Sequence, residues 1–156
     1  MVREATKEDL DRINEMRRMV NDIHVEGRPD IFRPGFGREI QEHAANYLEW
    51  ENNNILVAER DGIVCGFVMV DYVDRPENAY NLARKFIHVS EIGVDERFRR
   101  QGVATELIEG MKEDARKRGF RRIELDVWAF NDALAFYEAV GFKVFRRFME
   151  YEIDEA

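Results

Sequence analysis

The sequence predicts one α/β domain over residues 1–156, with a single mixed, mostly antiparallel sheet and helices on both faces. Hydrophobic residues make up 45% of the 156 residues, which is enough for one buried core. Strand and helix patterns follow each other in the order β-α-α-β-β-β-α-β-α-β. No proline-, glycine- or serine-rich linker divides the chain. The strand-helix-strand unit should be parallel, with a right-handed crossover, because a helical connection of this kind joins parallel strands.

Alternating apolar residues predict the strands. They occupy residues 1–5, 54–60, 63–73, 86–94, 123–127 and, as a final strand or a bent pair, 142–153. Asp61-Gly62 suits a type I′ turn between the second and third strands, because Asp and Gly tolerate positive φ. The three central strands should therefore be antiparallel.

Helices are predicted where apolar residues recur every three or four positions. The first follows a capping box of Thr6 and Asp9 and has the stripe Leu10, Ile13, Met16, Val20 and Ile23. An irregular stretch over 24–37 precedes the second, which carries Ile40, Ala44, Tyr47 and Leu48. The third ends at Gly119 and carries Ala104, Leu107, Ile108, Met111 and Ala115. A short fourth helix has Asn131 as its expected N-cap.

Composition excludes several functional classes. The net charge of −8 disfavours a dedicated nucleic-acid binder, which usually has a basic domain. The single cysteine, Cys65, excludes an internal disulfide, and the histidines lack metal-ligand spacing, so no metal is predicted. The longest apolar run, residues 63–70, is too short to span a bilayer, and the mixed-charge start is unlike a signal peptide. We therefore expect a cytoplasmic protein with no membrane or nucleic-acid partner.

Residues 91–105 form the most informative stretch, because a strand leads there through a basic loop directly into a helix. Residues 97–122 hold nine basic and four acidic residues, a net +5 that leaves −13 for the rest. Helix N-termini present unpaired N–H groups and partial positive charge. With Arg99, Arg100 and Gly102, the loop has the parts of a pyrophosphate cradle. The same features also describe a solvated helix start and an exposed, salt-bridged helix face.

Residues 99–104, Arg-Arg-Gln-Gly-Val-Ala, resemble the Gln/Arg-x-x-Gly-x-Gly/Ala signature of the GNAT acetyltransferase superfamily. Three further segments follow the order and spacing of that family: Glu-Ile-Gly-Val-Asp at 91–95, Arg-Gly-Phe and its strand at 118–127, and the Asn-x-x-Ala-x-x-x-Tyr-x-x-x-Gly-Phe pattern at 131–142. The resemblance implies the GNAT fold. Residues 1–60 fit the variable first part of that fold and specify little.

The resemblance implies that acetyl-CoA is the co-substrate and that its acetyl group passes to a primary amine by direct attack on the thioester. The pantetheine arm would lie along the fourth strand, where it splays from residues 123–127, and Gly93 is the expected bulge that opens this splay. An N–H near the end of that strand would stabilise the oxyanion. The implied cofactor-binding residues are Ile92, Gly93, Val94, Arg99, Arg100, Gln101, Gly102, Val103, Ala104, Thr105, Asn131 and Tyr137.

The resemblance also implies that Tyr137 assists departure of the CoA thiolate. A thiol has a pKa of about 8.5 and a tyrosine about 10, so a phenol near the sulfur can donate a hydrogen bond or a proton. From helical spacing alone, Tyr137 would instead be a core aromatic residue.

Two carboxylates are candidates for the general base that deprotonates the acceptor. Glu91 lies where many relatives carry a catalytic glutamate, and Asp126 lies where some peptide N-terminal acetyltransferases place an acid. Either would act through a water, and either is alternatively a solvent-facing strand residue. His88 is a further candidate, although a lone strand histidine is more often structural.

The acceptor amine is expected to meet residues 24–34 and 72–83, the first of which forms either an ordered lid or an ordinary surface loop. The −13 outside the basic segment weakly favours a cationic amine. A homodimer is compatible with the resemblance. The alternative function is a non-catalytic acyl-CoA-binding or sensing module on the same fold.

Overall fold

The computed structural model describes residues 1–154, which contain five strands and four α-helices. In chain order these are β1 (Val2–Glu4), α1 (Leu10–Gly27), α2 (Arg38–Glu49), β2 (Asn53–Arg60), β3 (Ile63–Arg75), β4 (Arg84–Val94), α3 (Val103–Arg118), β5 (Ile123–Glu124) and α4 (Leu134–Ala139). The chain divides into one compact unit over residues 1–126 and a second that begins at Val127.

The five strands form one sheet in which neighbours pair in chain order. Each neighbouring pair among the first four strands is antiparallel, whereas β5 pairs with β4 in parallel after the α3 crossover. This confirms the predicted mixed sheet. The β4–β5 ladder has two pairs, Ile87 with Ile123 and His88 with Glu124. Within the described residues, β4 continues to Val94 without β5 beside it, so the two strands part after His88.

Helices cover both faces of the sheet, as predicted. On one face, α1 and α2 pack over β2 and β3 in a core cluster of Ile13, Met16, Ala44, Tyr47, Ile55, Val57, Val64, Phe67 and Met69. Adjacent residues of β3 identify the two sides, because side chains alternate along a strand. The Tyr47 hydroxyl of α2 donates to Asp71 at 2.6 Å, and the Tyr72 hydroxyl donates to Asp114 of α3 at 2.6 Å.

Two local predictions are tested directly by the backbone. Asp61 and Gly62 both have positive φ, 51° and 76°, which confirms the primed turn between β2 and β3. The irregular stretch was predicted to begin at residue 24, but α1 continues to Gly27, where the Arg28 N–H donates to the His24 carbonyl at 2.9 Å. The apolar stripe ends at Ile23, whereas the helical hydrogen bonds, which do not depend on apolar side chains, continue to the end of α1.

Three predictions about the last third of the chain are wrong. The strand over 123–127 is only Ile123–Glu124, and residues 142–153 form no strand. A strand needs a partner for its backbone N–H and C=O groups, and an alternating pattern alone cannot supply one. Phe148 and Met149 are 95% and 90% exposed, so these two apolar residues of the segment do not face the core. The N-cap of α4 is Ala133 rather than Asn131.

The structure also describes features relevant to membrane insertion, metal binding and cysteine chemistry. Within residues 1–154, no helix is both long enough and apolar enough to cross a membrane. The same residues contain no group of three or more His, Cys, Asp or Glu side chains arranged to hold a metal ion. Cys65 is buried in β3, and burial raises the pKa of its thiol.

Candidate active site

The loop that joins β4 to α3 is anchored by the buried carboxylate of Asp95. It accepts hydrogen bonds from the Arg97 N–H at 2.8 Å and from the Arg97 guanidinium at 2.9 Å, and Arg12 of α1 forms an ion pair with it. These partners, Arg97 first, lower the pKa of Asp95 despite its burial. The loop is therefore fixed both to its own backbone and to α1.

Gly102 gives the loop its abrupt entry into α3. Its φ of 77° lies in the left-handed region, which costs a residue with a Cβ about 1–2 kcal/mol. A Cβ at this position would meet nothing within 4 Å, so backbone conformation rather than crowding favours glycine. Arg100 is also left-handed, with φ of 62°. The loop thus has two left-handed residues just before α3, and Gln101 and Gly102, which precede the unpaired first-turn N–H groups, are exposed.

The predicted cofactor residues of this loop differ in exposure. Arg99, Arg100, Gln101, Gly102 and Thr105 are exposed, and Ala104 is half-buried. The side chain of Val103 is in the core, so this residue offers a ligand only its backbone. The basic segment therefore has two parts, because α3 itself carries exposed ion pairs that join Lys112 to Glu109, Lys117 to Glu113 and Arg118 to Asp114. The helix part confirms the salt-bridged-face interpretation.

The half-buried residues Ile92, Gly93 and Val94 form the end of β4 beside this loop. Gly93 pairs regularly with Phe67, so the prediction that it forms the bulge is wrong. Its missing Cβ instead leaves room for close packing, because a Cβ there would lie 2.8 Å from both Phe67 and Val20. The register shift falls between Glu91 and Val89, which makes Ser90 the extra residue of the bulge.

The bulge at Ser90 changes which side chains share a face. Residues three apart on a regular strand point to opposite sides of the sheet. His88 pairs with Asp71 and Glu91 pairs with Met69, and both partners face α1 and α2. The extra residue therefore brings His88 and Glu91 onto that same face.

Glu91 is held by the buried guanidinium of Arg17 on α1. The Arg17 Nε and Nη2 atoms both lie 3.0 Å from Glu91 Oε2, and the Arg17 side chain is only 3% exposed. Arg17 also donates to the Ile40 carbonyl of α2 at 2.7 Å and to Asn14 at 3.0 Å. Glu91 therefore provides the counter-charge for a buried cation that joins α1, α2 and β4.

His88 lies between two carboxylates. Its Nδ1 atom is 3.0 Å from Asp71, and its Nε2 atom is 3.4 Å from Asp126, two residues after β5. Asp71 also accepts hydrogen bonds from the Tyr47 hydroxyl at 2.6 Å and from the Asn53 amide at 2.7 Å. The hydrogen bond with Asp71 raises the pKa of His88 against the opposing effect of burial, and Asp126 adds to the rise.

Asp71 and Tyr47 belong to the same cluster, and its contacts shift the pKa values of both. Burial alone would raise the pKa of Asp71, but its hydrogen bonds with His88 and Tyr47 lower it. Burial and the contact with Asp71 raise the pKa of Tyr47 to about 12. Asp71 is therefore an anion at neutral pH, and Tyr47 is a neutral donor to it.

The second unit contains Asn131 and Tyr137. Asn131 Oδ1 accepts a hydrogen bond from the Ala133 N–H at 2.9 Å, just before α4. Tyr137 is 9% exposed and has edge-on aromatic neighbours in Phe136 and Phe142, with ring centres at 5.4 and 5.7 Å. Burial raises the pKa of Tyr137, which keeps its phenol protonated at neutral pH.

The sequence model of the acetyltransferase (GNAT) family matches residues 18–142, which is most of the chain. The chain belongs to this family. Two curated relatives align with its GNAT region. One is an uncharacterized N-acetyltransferase of Methanocaldococcus jannaschii, 35% identical over 104 residues, or 62% of this chain and 44% of the relative. Human N-acetyltransferase 8 is 32% identical over 99 residues, or 63% of this chain and 42% of the relative. These alignments span less than half of each relative's length.

Solved structures of the GNAT fold are similar over nearly the whole chain. A mutant of a Bacillus halodurans protein superimposes with a TM-score of 0.93 at 27% identity, covering 98% of this chain and 99% of that chain. An aminoglycoside N-acetyltransferase in complex with CoA superimposes with a TM-score of 0.76 at 20% identity, covering 98% and 93%. The latter likeness concerns the fold alone. The predicted family and its fold are confirmed.

The sequence interpretation missed three residues that pack around His88 and Glu91 on the side of the sheet covered by α1 and α2. These are Arg17, Tyr47 and Asp71. A signal existed for Arg17, because it falls at helical spacing between Ile13 and Val20, inside the apolar stripe of α1. A charged residue in a buried stripe needs a partner. Asp71 is likewise an acid at the end of an apolar strand pattern. Neither signal names the partner, which only the folded chain provides.

Proposed function

We propose that this chain is an acetyl-CoA-dependent N-acetyltransferase with one catalytic domain over residues 1–156, and that its acceptor is a primary amine. The observation that carries the proposal is the loop after β4, in which left-handed Gly102 and exposed arginines precede α3 in a member of the GNAT family. Such a loop offers N–H groups and positive charge to an anion, as a pyrophosphate requires.

The residues present fit acetyl-CoA. The N–H groups from Arg100 to Thr105 would bind the pyrophosphate, and Arg99 would offset its charge. The open space around Gly102 allows close approach to the backbone. The pantetheine arm would add beside Ile92 to Val94, where β4 continues without β5 among the described residues. When bound, acetyl-CoA supplies the activated acetyl group.

The chain's own groups have distinct tasks in acetyl transfer. A backbone N–H near the end of β4 would stabilise the oxyanion at the thioester carbonyl. Tyr137 would donate a hydrogen bond or a proton to the departing thiolate, in agreement with the protonated phenol that its burial favours. Asn131 would contact the cofactor arm. The group that removes the acceptor's proton lies on β4 or shortly after β5, where Glu91, Asp126 and His88 are the candidates.

Two observations support an amine as the acceptor. The curated relatives and the aminoglycoside N-acetyltransferase are named for N-acetyl transfer. The face of β4 beneath α1 and α2 gathers Asp71, Glu91 and Asp126 against Arg17 and His88, which favours a cationic partner. The cytoplasmic location and the homodimer stay predictions.

The test is a calorimetric titration of the full chain with acetyl-CoA, followed by a thiol-release assay. Suitable acceptor probes are spermidine, kanamycin and a lysine-containing peptide with a free α-amino group. We expect binding without any acceptor and thiol release with at least one probe. Tight binding without thiol release with any amine would favour the non-catalytic acyl-CoA-binding alternative. No binding of acetyl-CoA would contradict both functions.

A further inference from the structure

The imidazole of His88 lies where the sheet opens. His88 and Glu124 form the last pair of the β4–β5 ladder, so the end of β4 that follows His88 is free of β5 in the described part of the chain. The His88 side chain is 34% exposed, which leaves it within reach of a molecule from solution. The bulge at Ser90 gives it the same face as Glu91.

The two carboxylates beside His88 differ in how firmly they are held. Asp71 is fixed by hydrogen bonds from Tyr47, Asn53 and His88, at 2.6, 2.7 and 3.0 Å. Asp126 is 78% exposed and lies farther from the ring, at 3.4 Å. Asp71 is thus a fixed acceptor, whereas Asp126 borders the open side.

This asymmetry selects the tautomer of the neutral ring. Asp71 is an anion that can only accept, so Nδ1 of His88 carries the hydrogen. The lone pair of the neutral ring is therefore on Nε2, which faces Asp126 and the solvent. A carboxylate that orients an imidazole in this way also stabilises the imidazolium that forms when Nε2 takes a proton.

Glu91 has a different task on the same face. Its Oε2 atom binds two nitrogens of the buried Arg17, which in turn joins α1 to α2. We propose, on the basis of the acetyl-transfer function above, that His88 rather than Glu91 or Asp126 accepts the proton of the acceptor amine. Asp71 is its positioning residue, and Asp126 attracts the cationic acceptor.

The proton and the electrons balance in this step. The ammonium of the acceptor binds between Nε2 of His88 and the Asp126 carboxylate. One N–H bond of the ammonium breaks as the Nε2–H bond forms, and the neutral amine keeps the electron pair. That pair forms the bond to the thioester carbon, and the C–S bond breaks with its electrons on sulfur. The nitrogen then loses its second proton, which the sulfur takes up so that CoA leaves as the thiol. The imidazolium then returns its proton to solvent.

The groups that face His88 predict the direction of its pH dependence. Asp71 comes from β3 and Asp126 follows β5, while Tyr47 of α2 contacts Asp71. Both carboxylates raise the pKa of His88. The neutral form that accepts a proton therefore grows as pH rises through this raised value, and activity should rise with it. On α1, burial lowers the pKa of His24, the opposite direction.

The experiment compares His88→Gln with two acceptors at pH 8. Spermidine is largely cationic at that pH, whereas hydroxylamine is a weakly basic nucleophile that is already neutral. We expect kcat/KM with spermidine to fall about 100-fold and that with hydroxylamine to fall less than about threefold. Binding of acetyl-CoA should be unchanged. His43→Gln, on α2, is the matched control and should retain the alkaline rise in activity. If the peptide or kanamycin is turned over faster than spermidine, that acceptor takes its place.

The variant Asp71→Asn distinguishes a positioning role of Asp71 from a purely structural one, because only a positioning role links the pKa of His88 to the pH profile of activity. NMR titration of the three histidines should show the His88 pKa falling, and the rise of kcat/KM should move to lower pH by the same amount. Equal losses with both acceptors, or a wild-type pH profile in His88→Gln, would overturn the assignment. Wild-type chain that binds acetyl-CoA but acetylates no amine would instead contradict the proposed function, and the assignment with it.

Discussion

The loop after β4 and the face of β4 beneath α1 and α2 hold their charges in opposite ways. In the loop, Arg99 and Arg100 are exposed, beside the open N-terminus of α3. On the face, Glu91 is paired with Arg17, and His88 lies between Asp71 and Asp126. Exposed arginines attract an anion from solution, whereas the charges of the face already have partners within the chain. The two regions proposed for proton transfer and for anion binding thus lie along the same strand, β4, and the loop that follows it.

The largest expected effect tests the loop side of this comparison. Gly102→Glu adds a Cβ to a left-handed residue, which costs about 1–2 kcal/mol, and places a negative charge where an anion should bind. We expect acetyl-CoA affinity to fall by about 100-fold or more, equal to about 2.7 kcal/mol, in calorimetric titration. Gly62→Glu is the matched control, because Gly62 is also left-handed, exposed and free of neighbours within 4 Å. Similar losses in both variants would assign the effect to backbone strain.

The next effect concerns chemistry rather than binding. Tyr137→Phe removes the phenolic donor but keeps the ring that packs against Phe136 and Phe142. We expect kcat to fall about 10- to 100-fold with unchanged acetyl-CoA affinity, measured by thiol release and titration. Tyr151→Phe serves as the control, since Tyr151 is 84% exposed. Full activity in Tyr137→Phe would remove this residue from the mechanism.

A smaller effect tests whether the charges of the face are structural. Glu91→Gln leaves the buried Arg17 without its counter-charge and should lower the free energy of unfolding by about 1–3 kcal/mol in denaturant titration. Glu113→Gln removes an exposed partner of Lys117 on α3 and should cost less than about 0.5 kcal/mol. Restored stability in an Arg17→Met, Glu91→Gln double variant would attribute the loss to the uncompensated cation. No loss in Glu91→Gln would refute the structural role.

The smallest effect is a dependence of stability on pH. Because the folded-state pKa of His88 is raised above the ordinary value of a histidine, about 6.5, the cluster stabilises the folded chain fully below that value. This stabilisation is lost as pH rises through the folded-state pKa. Since His88 is about one-third exposed, we expect less than about 1 kcal/mol between wild type and His88→Gln at pH 5.5, decreasing by pH 9. A difference that grows with pH would have the wrong sign.

The two regions also differ in how far sequence could predict them. The loop from Arg99 to Ala104 is contiguous, so its motif, its glycine and its helix start are all visible in one short stretch. The face joins Arg17, Tyr47, Asp71 and His88 across up to 71 positions of sequence. The sequence pattern indicates only Glu91, Asp126 and His88 there, and as separate candidates. The bulge at Ser90 places His88 and Glu91 on the same face. No glycine or proline stands at this position to indicate the bulge in the sequence.

The sequence by itself determined the family, the mixed sheet, the primed turn at Asp61-Gly62 and the basic loop before α3, because each depends on local pattern or backbone preference. Only the tertiary structure decided how far β5 pairs with β4, that residues 142–153 form no strand, and which partners hold Glu91 and His88. Pairing and burial depend on what lies opposite a residue in space. A linear pattern gives a residue's preference, and the fold supplies its partner.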